Sequence, residues 1–264
     1  MPVAPVTLTA VPGIPPIGPR DDVAAILVAA LVAAAMTPAS GDVLVVAQKI
    51  VSKAEGRIVD LNGVTPSARA RELAAKVDKD PRLVELILRE SSEVVAHKPG
   101  VLVVAHKLGF VLANAGIDRS NVAPPSDSGP DSGPDSEPVL LLPVDPNASA
   151  AALKARLDDH FGAALGVVVS DSVGRAWRNG ITGIALGAAG LPALRDLIGQ
   201  TDLFGRRLEV TQTGFADEIA GAASLVMGQA DEGLPAVLVR GLSWREPAAD
   251  ATALLRPKDQ DLFR

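Results

Sequence analysis

Val167-Val168-Val169-Ser170-Asp171-Ser172-Val173-Gly174-Arg175-Ala176-Trp177-Arg178-Asn179-Gly180 is a β-branched run that turns abruptly polar. Three consecutive valines predict a short strand, Val167 to Ser170, apolar on both faces and therefore buried. The strand delivers Asp171 at its end, where open sheets present ligand-binding groups. Ser172 adds a hydroxyl able to complete a metal shell, and Gly174 lets backbone come close to a ligand. Arg175 and Arg178 can grip phosphate or carboxylate with paired N–H groups. Trp177 fits a surface for a ring or a wedge in the loop. The same residues equally fit a strand-end turn carrying a surface Arg pair and a core Trp.

A second valine run, Val43 to Ala47, follows the turn at Gly41-Asp42 and predicts another buried strand. Gln48 to Arg57 leads away from it and carries Lys49, Lys53 and Arg57. Upstream, Pro12, Pro15, Pro16 and Pro19 forbid a helix, and Asp21 or Asp22 starts one that runs to about Ala35. Ser67 to Val77 and Pro81 to Arg89 read as amphipathic helices. Val94 to His97 and Val101 to His106 read as short strands. Beyond them the expected order is a strand at Val139 to Val144, a helix at Ala148 to Phe161, a Gly- and Ala-rich stretch at Ile181 to Gly190 and a helix at Leu191 to Ile198. A strand at Leu208 to Thr213, a helix at Ile219 to Met227 and a strand at Pro235 to Arg240 complete it. Residues 123–138 repeat Asp-Ser-Gly-Pro without a large apolar side chain, so they form an acidic low-complexity loop. The mixed order of short strands and helices points to an α+β fold, mixed sheets with flanking helices, in a single domain over residues 1–264.

Composition narrows the chemistry. Hydrophobic residues make up 48% of the 264, aromatic residues only 3%, and there is no Tyr, so Ala, Val, Leu and Ile must build the core. The absence of Cys excludes disulfides, thiolate metal sites and a thiol nucleophile. With three His in all, zinc is disfavoured, and a hard cation such as magnesium or manganese on oxygen ligands fits better. The formal net charge of −6 leaves no broad basic footprint for nucleic acid. Arg175, Arg178, Arg206 and Arg207 instead suit a small anion. Val23 to Met36 is the most apolar run, too short for the ~20 residues that span a bilayer, and it lacks the charged start of a signal peptide. No membrane role and a cytoplasmic location are expected. No P-loop, no Gly-x-Gly-x-x-Gly after a strand and no Gly-x-Ser-x-Gly elbow is present.

Other candidates stand outside the opening run. Asp118, in Gly116-Ile117-Asp118-Arg119-Ser120-Asn121, suits a metal or an ordinary Asx turn. Thr211-Gln212 with Asp217-Glu218 suits a ligand site or a strand end followed by a helix start. Lys53, in Lys49-Ile50-Val51-Ser52-Lys53-Ala54-Glu55-Gly56-Arg57, suits an anion or a solvated turn. His97, His106 and His160 are scattered and expected to ligate nothing.

Taken in order, these pieces resemble one family. They are the Pro/Gly-rich start Val11 to Pro19, Gly41 to Arg57, Ala115 to Val122, Leu142-Pro143-Val144-Asp145-Pro146, Asp171 to Gly180 and Ala216-Asp217-Glu218-Ile219-Ala220. The chain resembles the coenzyme F420-0:L-glutamate ligases, also called coenzyme F420 gamma-glutamyl ligases, over nearly its whole length. The resemblance implies an intertwined homodimer and a GTP-dependent amide ligase that attaches L-glutamate to coenzyme F420-0 and then adds gamma-linked glutamates through an acyl phosphate. It implies Mg2+ or Mn2+, two ions, with K+ as a helper. Asp118 and Asp171 would bind one ion, with Ser172 and Gln212 near the second. Ile14, Pro15, Pro16, Ile17, Lys53, Asn121 and the Thr211 to Glu218 segment would hold GTP. Arg175 is added as a catalytic candidate from charge and spacing. Ser172 stands where Thr is usual, Gln48 where Ser or Thr often contacts nucleotide, and Gln212 where some members have Glu. The rival reading is a metal-dependent, GTP-using ligase or phosphotransferase acting on another carboxylic acid.

Overall fold

A computed structural model describes residues 5–122 and 136–262. The elements run in chain order from β1 (Thr7–Ala10) through α1 (Val23–Ala33), β2 (Val43–Ala47), α2 (Gln48–Ala54) and β3 (Ile58–Asp60). Next come α3 (Ala68–Val77), α4 (Pro81–Glu90), β4 (Ser91–Lys98), β5 (Val101–His106), β6 (Val111–Ala113) and β7 (Pro138–Leu140). The last are α5 (Pro146–Phe161), β8 (Gly166–Arg175), β9 (Arg178–Ala189), β10 (Arg195–Asp196), β11 (Gln212–Thr213), α6 (Phe215–Met227) and β12 (Ala236–Arg240). The α+β reading holds: several separate sheets carry helices on their faces.

The principal sheet has the order β1-β12-β2-β8-β9. Its centre is the parallel pair β2 and β8, with Val45 opposite Val168 and Ala47 opposite Ser170; the other neighbours are antiparallel. Leu44, Val46, Val167 and Val169 pack with α1 and α5 through Leu27, Leu31, Leu153 and Leu157. Val43, Val45 and Val168 face the other way, onto Phe215, Ile219 and Ala223 of α6. Cover on both faces explains why both valine runs are apolar without alternation. A second core lies under α3, α4 and the β4-β5-β6 sheet, built on Val84, Ile87, Leu102 and Val104.

Helix starts follow their caps. Asp22 accepts from Ala25 N, Ser67 from Ala70 N, Asp80 from Arg82 N and Asp145 from Asn147 and Ala148 N. Pro81 and Pro146 occupy first-turn positions that need no donor.

Several expectations fail for identifiable reasons. The strand at Val167 does not stop at Ser170. After a register shift it continues to Arg175, paired with β9, so Asp171 sits at the end of the parallel pairing but inside its own strand. Trp177, read as a surface for a ring, a wedge in the loop or a core residue, is 79% exposed in the turn between β8 and β9, which rules out the core reading; its φ is 57°. The Gly- and Ala-rich stretch is most of β9. A Cβ at Gly183 would lie 2.3 Å from Ala220 O, and one at Gly187 2.1 Å from Pro146 O, so these glycines let α6 and α5 press directly on the strand. Leu191 to Ile198 is no helix: Ala193 N donates to Ala249 O, Ala249 N to Leu191 O, and Arg195-Asp196 pair with Thr213-Gln212. These partners outside the segment claim the backbone that a helix would have used. The strand expected at Leu208 to Thr213 shrinks to Gln212-Thr213. That expected at Val139 to Val144 ends at Leu140, and Leu141 N turns to Arg57 O. Of the acidic loop at 123–138, residues 123–135 lie outside the described residues. Ser136 Oγ donates to Asp60 and Glu137 pairs with Arg82.

Candidate active site

At the ends of β2 and β8 the sheet opens into a cavity of about 610 Å3. Its wall is made by Ala47 at the end of β2, by Gln48 to Ile50 and Lys53 of α2, by Ser170, Asp171 and Ser172 of β8, and by Ile14-Pro15-Pro16-Ile17. Asp118, Ser120 and Asn121 line it from one side, and the end of α6 with Gly228 to Pro235 from the other. Each contribution follows from the chain's local layout. The prolines hold the 14–17 segment extended, β2 passes directly into α2, and the β8 register carries Asp171 just past its parallel partner.

Asp118 and Asp171, two of the four carboxylates that line this cavity with Asp231 and Glu232, are in opposite electrostatic states. Loss of water pushes Asp171 up to about 6, against the Ser172 N–H it accepts at 2.8 Å and the charge of Lys49; the nearby Asp118 charge adds to the rise. Burial also acts to raise Asp118, but its partners prevail and hold it below the ordinary carboxylate value. Lys49 Nζ lies 2.6 Å from Asp118 Oδ2, while Ser120 N donates to Oδ1 at 2.7 Å and Ser120 Oγ to Oδ2 at 3.0 Å. Lys53, one helical turn after Lys49, donates to Asn121 O at 2.7 Å, and burial followed by the Lys49 charge depresses its basicity. Asn121 Nδ2 in turn donates to Ala230 O at 3.1 Å. Gln48 is buried; its Oε1 accepts from Ser52 Oγ at 2.8 Å, while its NH2 group has no hydrogen-bond partner. That amide lies near enough to Asp171 to favour its charged form weakly.

Residues 13–241 match the family model described as F420-0:Gamma-glutamyl ligase. The chain belongs to this family. It is similar to the coenzyme F420:L-glutamate ligase of Methanothermobacter thermautotrophicus, 44% identical over 261 residues, 98% of this chain and 99% of that one. Proteins of the same name from Archaeoglobus fulgidus (41% over 254 residues, 96% and 94% of the two chains) and Haloarcula marismortui (41% over 261 residues, 97% and 94%) are similar to it as well.

In this ligase the expected site residues divide into two groups. Ile14, Pro15, Pro16, Ile17, Gln48, Lys53, Asp118, Asn121, Asp171 and Ser172 all line the one cavity. Arg175, Thr211, Gln212, Asp217 and Glu218 do not. Arg175 is exposed at the far end of β8, four residues beyond Asp171. Gln212 pairs with Asp196. Asp217 and Glu218 sit in the first turn of α6, about 15 Å along the helix from Met227 at the cavity. Asp217 Oδ1 accepts from Ala185 N at 2.8 Å, a bond that ties α6 to β9. Sequence reasoning gave no role to Lys49, Ser120 or Gly228 to Pro235. Lys49 was within reach of it, standing one helical turn from Lys53 on the same face; the Gly228 loop carries no pattern that marks it.

Among the described residues, no three acidic or histidine side chains converge as a metal cage. None of their helices is long and apolar enough to cross a membrane.

Proposed function

We propose that this ligase uses GTP to join L-glutamate to coenzyme F420-0, first by an amide bond and then by gamma linkages, with Mg2+ or Mn2+ at Asp118 and Asp171 and K+ as a helper. The observation that carries this reading is the meeting of Asp118, Asp171, Lys49, Lys53 and the Ile14 to Ile17 segment in one cavity. The donor set fits a hard cation. Mg2+ characteristically keeps water and takes one or two carboxylates plus substrate phosphates, so the lack of a protein cage is no obstacle. Ser172 contributes a hydroxyl beside Asp171. A cation bound there would neutralise phosphate charge during phosphoryl transfer.

In the proposed reaction, a carboxylate oxygen of F420-0 attacks the γ-phosphorus of GTP, the bond to the β-phosphate oxygen breaks, and GDP leaves. The glutamate amino group then attacks the acyl carbon, the bond to phosphate breaks, and the amine loses its proton. Lys53 and Asn121 hold and orient the nucleotide. Gln48, whose buried amide lies beside Asp171, lines the same cavity.

None of Thr211, Gln212, Asp217 and Glu218 lines the cavity of the single chain, which fits completion of the second-ion site by a second copy. The arm between β10 and β11 carries Leu203 and Phe204 at its tip, 98% and 95% exposed. Such apolar surface suits the homodimer that the family resemblance implies, in which the arm region of one protomer meets the cavity of the other and brings Gln212 to Ser172.

The decisive assay incubates the protein with GTP, Mn2+, L-glutamate and F420-0 and follows product mass. A one-glutamyl increment that requires GTP and is not supported by ATP is expected. Turnover on a different carboxylic acid, with F420-0 left unchanged, would replace the substrate assignment by the broader ligase or phosphotransferase reading.

A further inference from the structure

Lys49 is the best-partnered cation of the cavity, and the proposed reaction leaves it without a task. Its Nζ contacts Asp118 Oδ2 at 2.6 Å, Ser120 Oγ at 2.6 Å and Ser120 O at 3.3 Å, and its charge reaches Asp171. It is only 25% exposed. A divalent cation shared by Asp118 and Asp171 would lie beside the ammonium on the same carboxylate, and two cations at such close range repel each other. The ammonium rides on a flexible four-carbon stem rooted in the first turn of α2, whose neighbours Gln48 and Ile50 also line the cavity. Once displaced, it remains inside a cavity that would then hold phosphate.

We propose that Lys49 keeps the cation seat at Asp118 in the metal-free protein and passes onto a phosphate oxygen of the bound nucleotide when a divalent cation takes that seat. This rests on the cation reading given above. The ammonium fixes Asp118 and Ser120 by direct contact, and its charge favours the ionised form of Asp171. It also weakens metal binding in the absence of nucleotide, so cation and nucleotide enter together. Lys49 thereby serves first as a positioning residue for the 118–121 loop and then as a phosphate ligand.

The test is Mn2+ binding to the full chain by paramagnetic resonance, with and without GTP, in wild type, Lys49→Met and Lys49→Gln. Without nucleotide, both variants should bind Mn2+ roughly tenfold more tightly than wild type, because a competing charge is gone. With Mn2+ present, both should bind GTP roughly tenfold more weakly. If Lys49 only braced the 118–121 loop, its loss would loosen Asp118 and weaken Mn2+ binding. Mn2+ affinity equal to or below wild type in the variants therefore overturns the proposal while leaving the cation reading intact. Absence of Mn2+ binding to wild type even with GTP would overturn both. Lys49→Gln keeps a hydrogen-bonding group for Asp118 and provides the comparison should Lys49→Met fail to fold.

Discussion

The Asp118–Asp171 cavity and the arm region from Arg195 to Glu218 carry the two halves of the expected site, and they are built in opposite ways. The cavity stands on the most deeply buried part of the chain. Asp171 follows Val167, Val168 and Val169, all fully buried, and α2 follows Val43 to Val46. Its polar groups are already engaged with one another through Lys49, Ser120, Lys53 and Asn121. The arm closes on itself through backbone bonds such as Gly199 N to Leu208 O and Leu208 N to Gln200 O, and its large apolar side chains face outward. One region is finished by the fold of a single chain; the other keeps apolar surface for something else. The difference is the physical ground for the proposal that one core positions part of the ligand site and a second copy of the chain supplies the rest.

The strongest way to break this comparison is to remove a carboxylate. Asp171→Asn and Asp118→Asn should each lower ligase turnover roughly thousandfold or more, with far-ultraviolet circular dichroism unchanged. Full activity in both would end the metal assignment. The arm comes next. Replacing Leu203 and Phe204 together by Ser should shift the protein from dimer to monomer in light scattering and lower turnover about tenfold or more, because buried large apolar groups dominate interface energy. A monomeric double variant with unchanged activity would show the cavity to be complete alone. Arg175→Ala should raise KM for the acidic substrate by about tenfold with a smaller effect on kcat, if its guanidinium grips that substrate as charge and spacing imply.

The smallest effect separates the two carboxylates within the cavity. Asp171 is pushed up to about 6 from 3.8, so the folded metal-free chain binds its proton more tightly than the unfolded chain. The resulting stability is fully present below about pH 4 and lost as pH rises through 6. Asp118, held low mainly by Lys49 and Ser120 against burial, contributes stability at neutral pH that disappears on acidification. Melting of metal-free protein at pH 8 should therefore show Asp171→Asn a few degrees above wild type and Asp118→Asn below it, with the Asp171→Asn gain fading towards pH 4. Equal shifts of the same sign would contradict the electrostatic description.

Much of this architecture was legible because local and tertiary preferences agreed. The valine runs, the Asp22 cap and the helix start at Pro81 need no distant information. What escaped reading depends on partners remote in sequence. Gly183 and Gly187 look like turn residues until Ala220 and Pro146 are placed against them. Leu191 to Ile198 has helical composition, but residue 249 supplies an alternative backbone partner. Asp118 and Asp171 are each ambiguous as isolated residues; the resemblance implies that they meet, and the fold lines one cavity with both. The spacing of Lys49 and Lys53 puts both on one helix face, but nothing local says which of the two lysines meets the carboxylate.

The central claim is that Asp118 and Asp171 together hold the cation that serves the nucleotide. Anomalous scattering from Mn2+ in crystals grown with a non-hydrolysable GTP analogue tests it most directly. The expected result is a manganese peak within coordination distance of both carboxylates and of a phosphate oxygen. Manganese bound elsewhere, with Lys49 still paired to Asp118 beside an occupied nucleotide site, would contradict it.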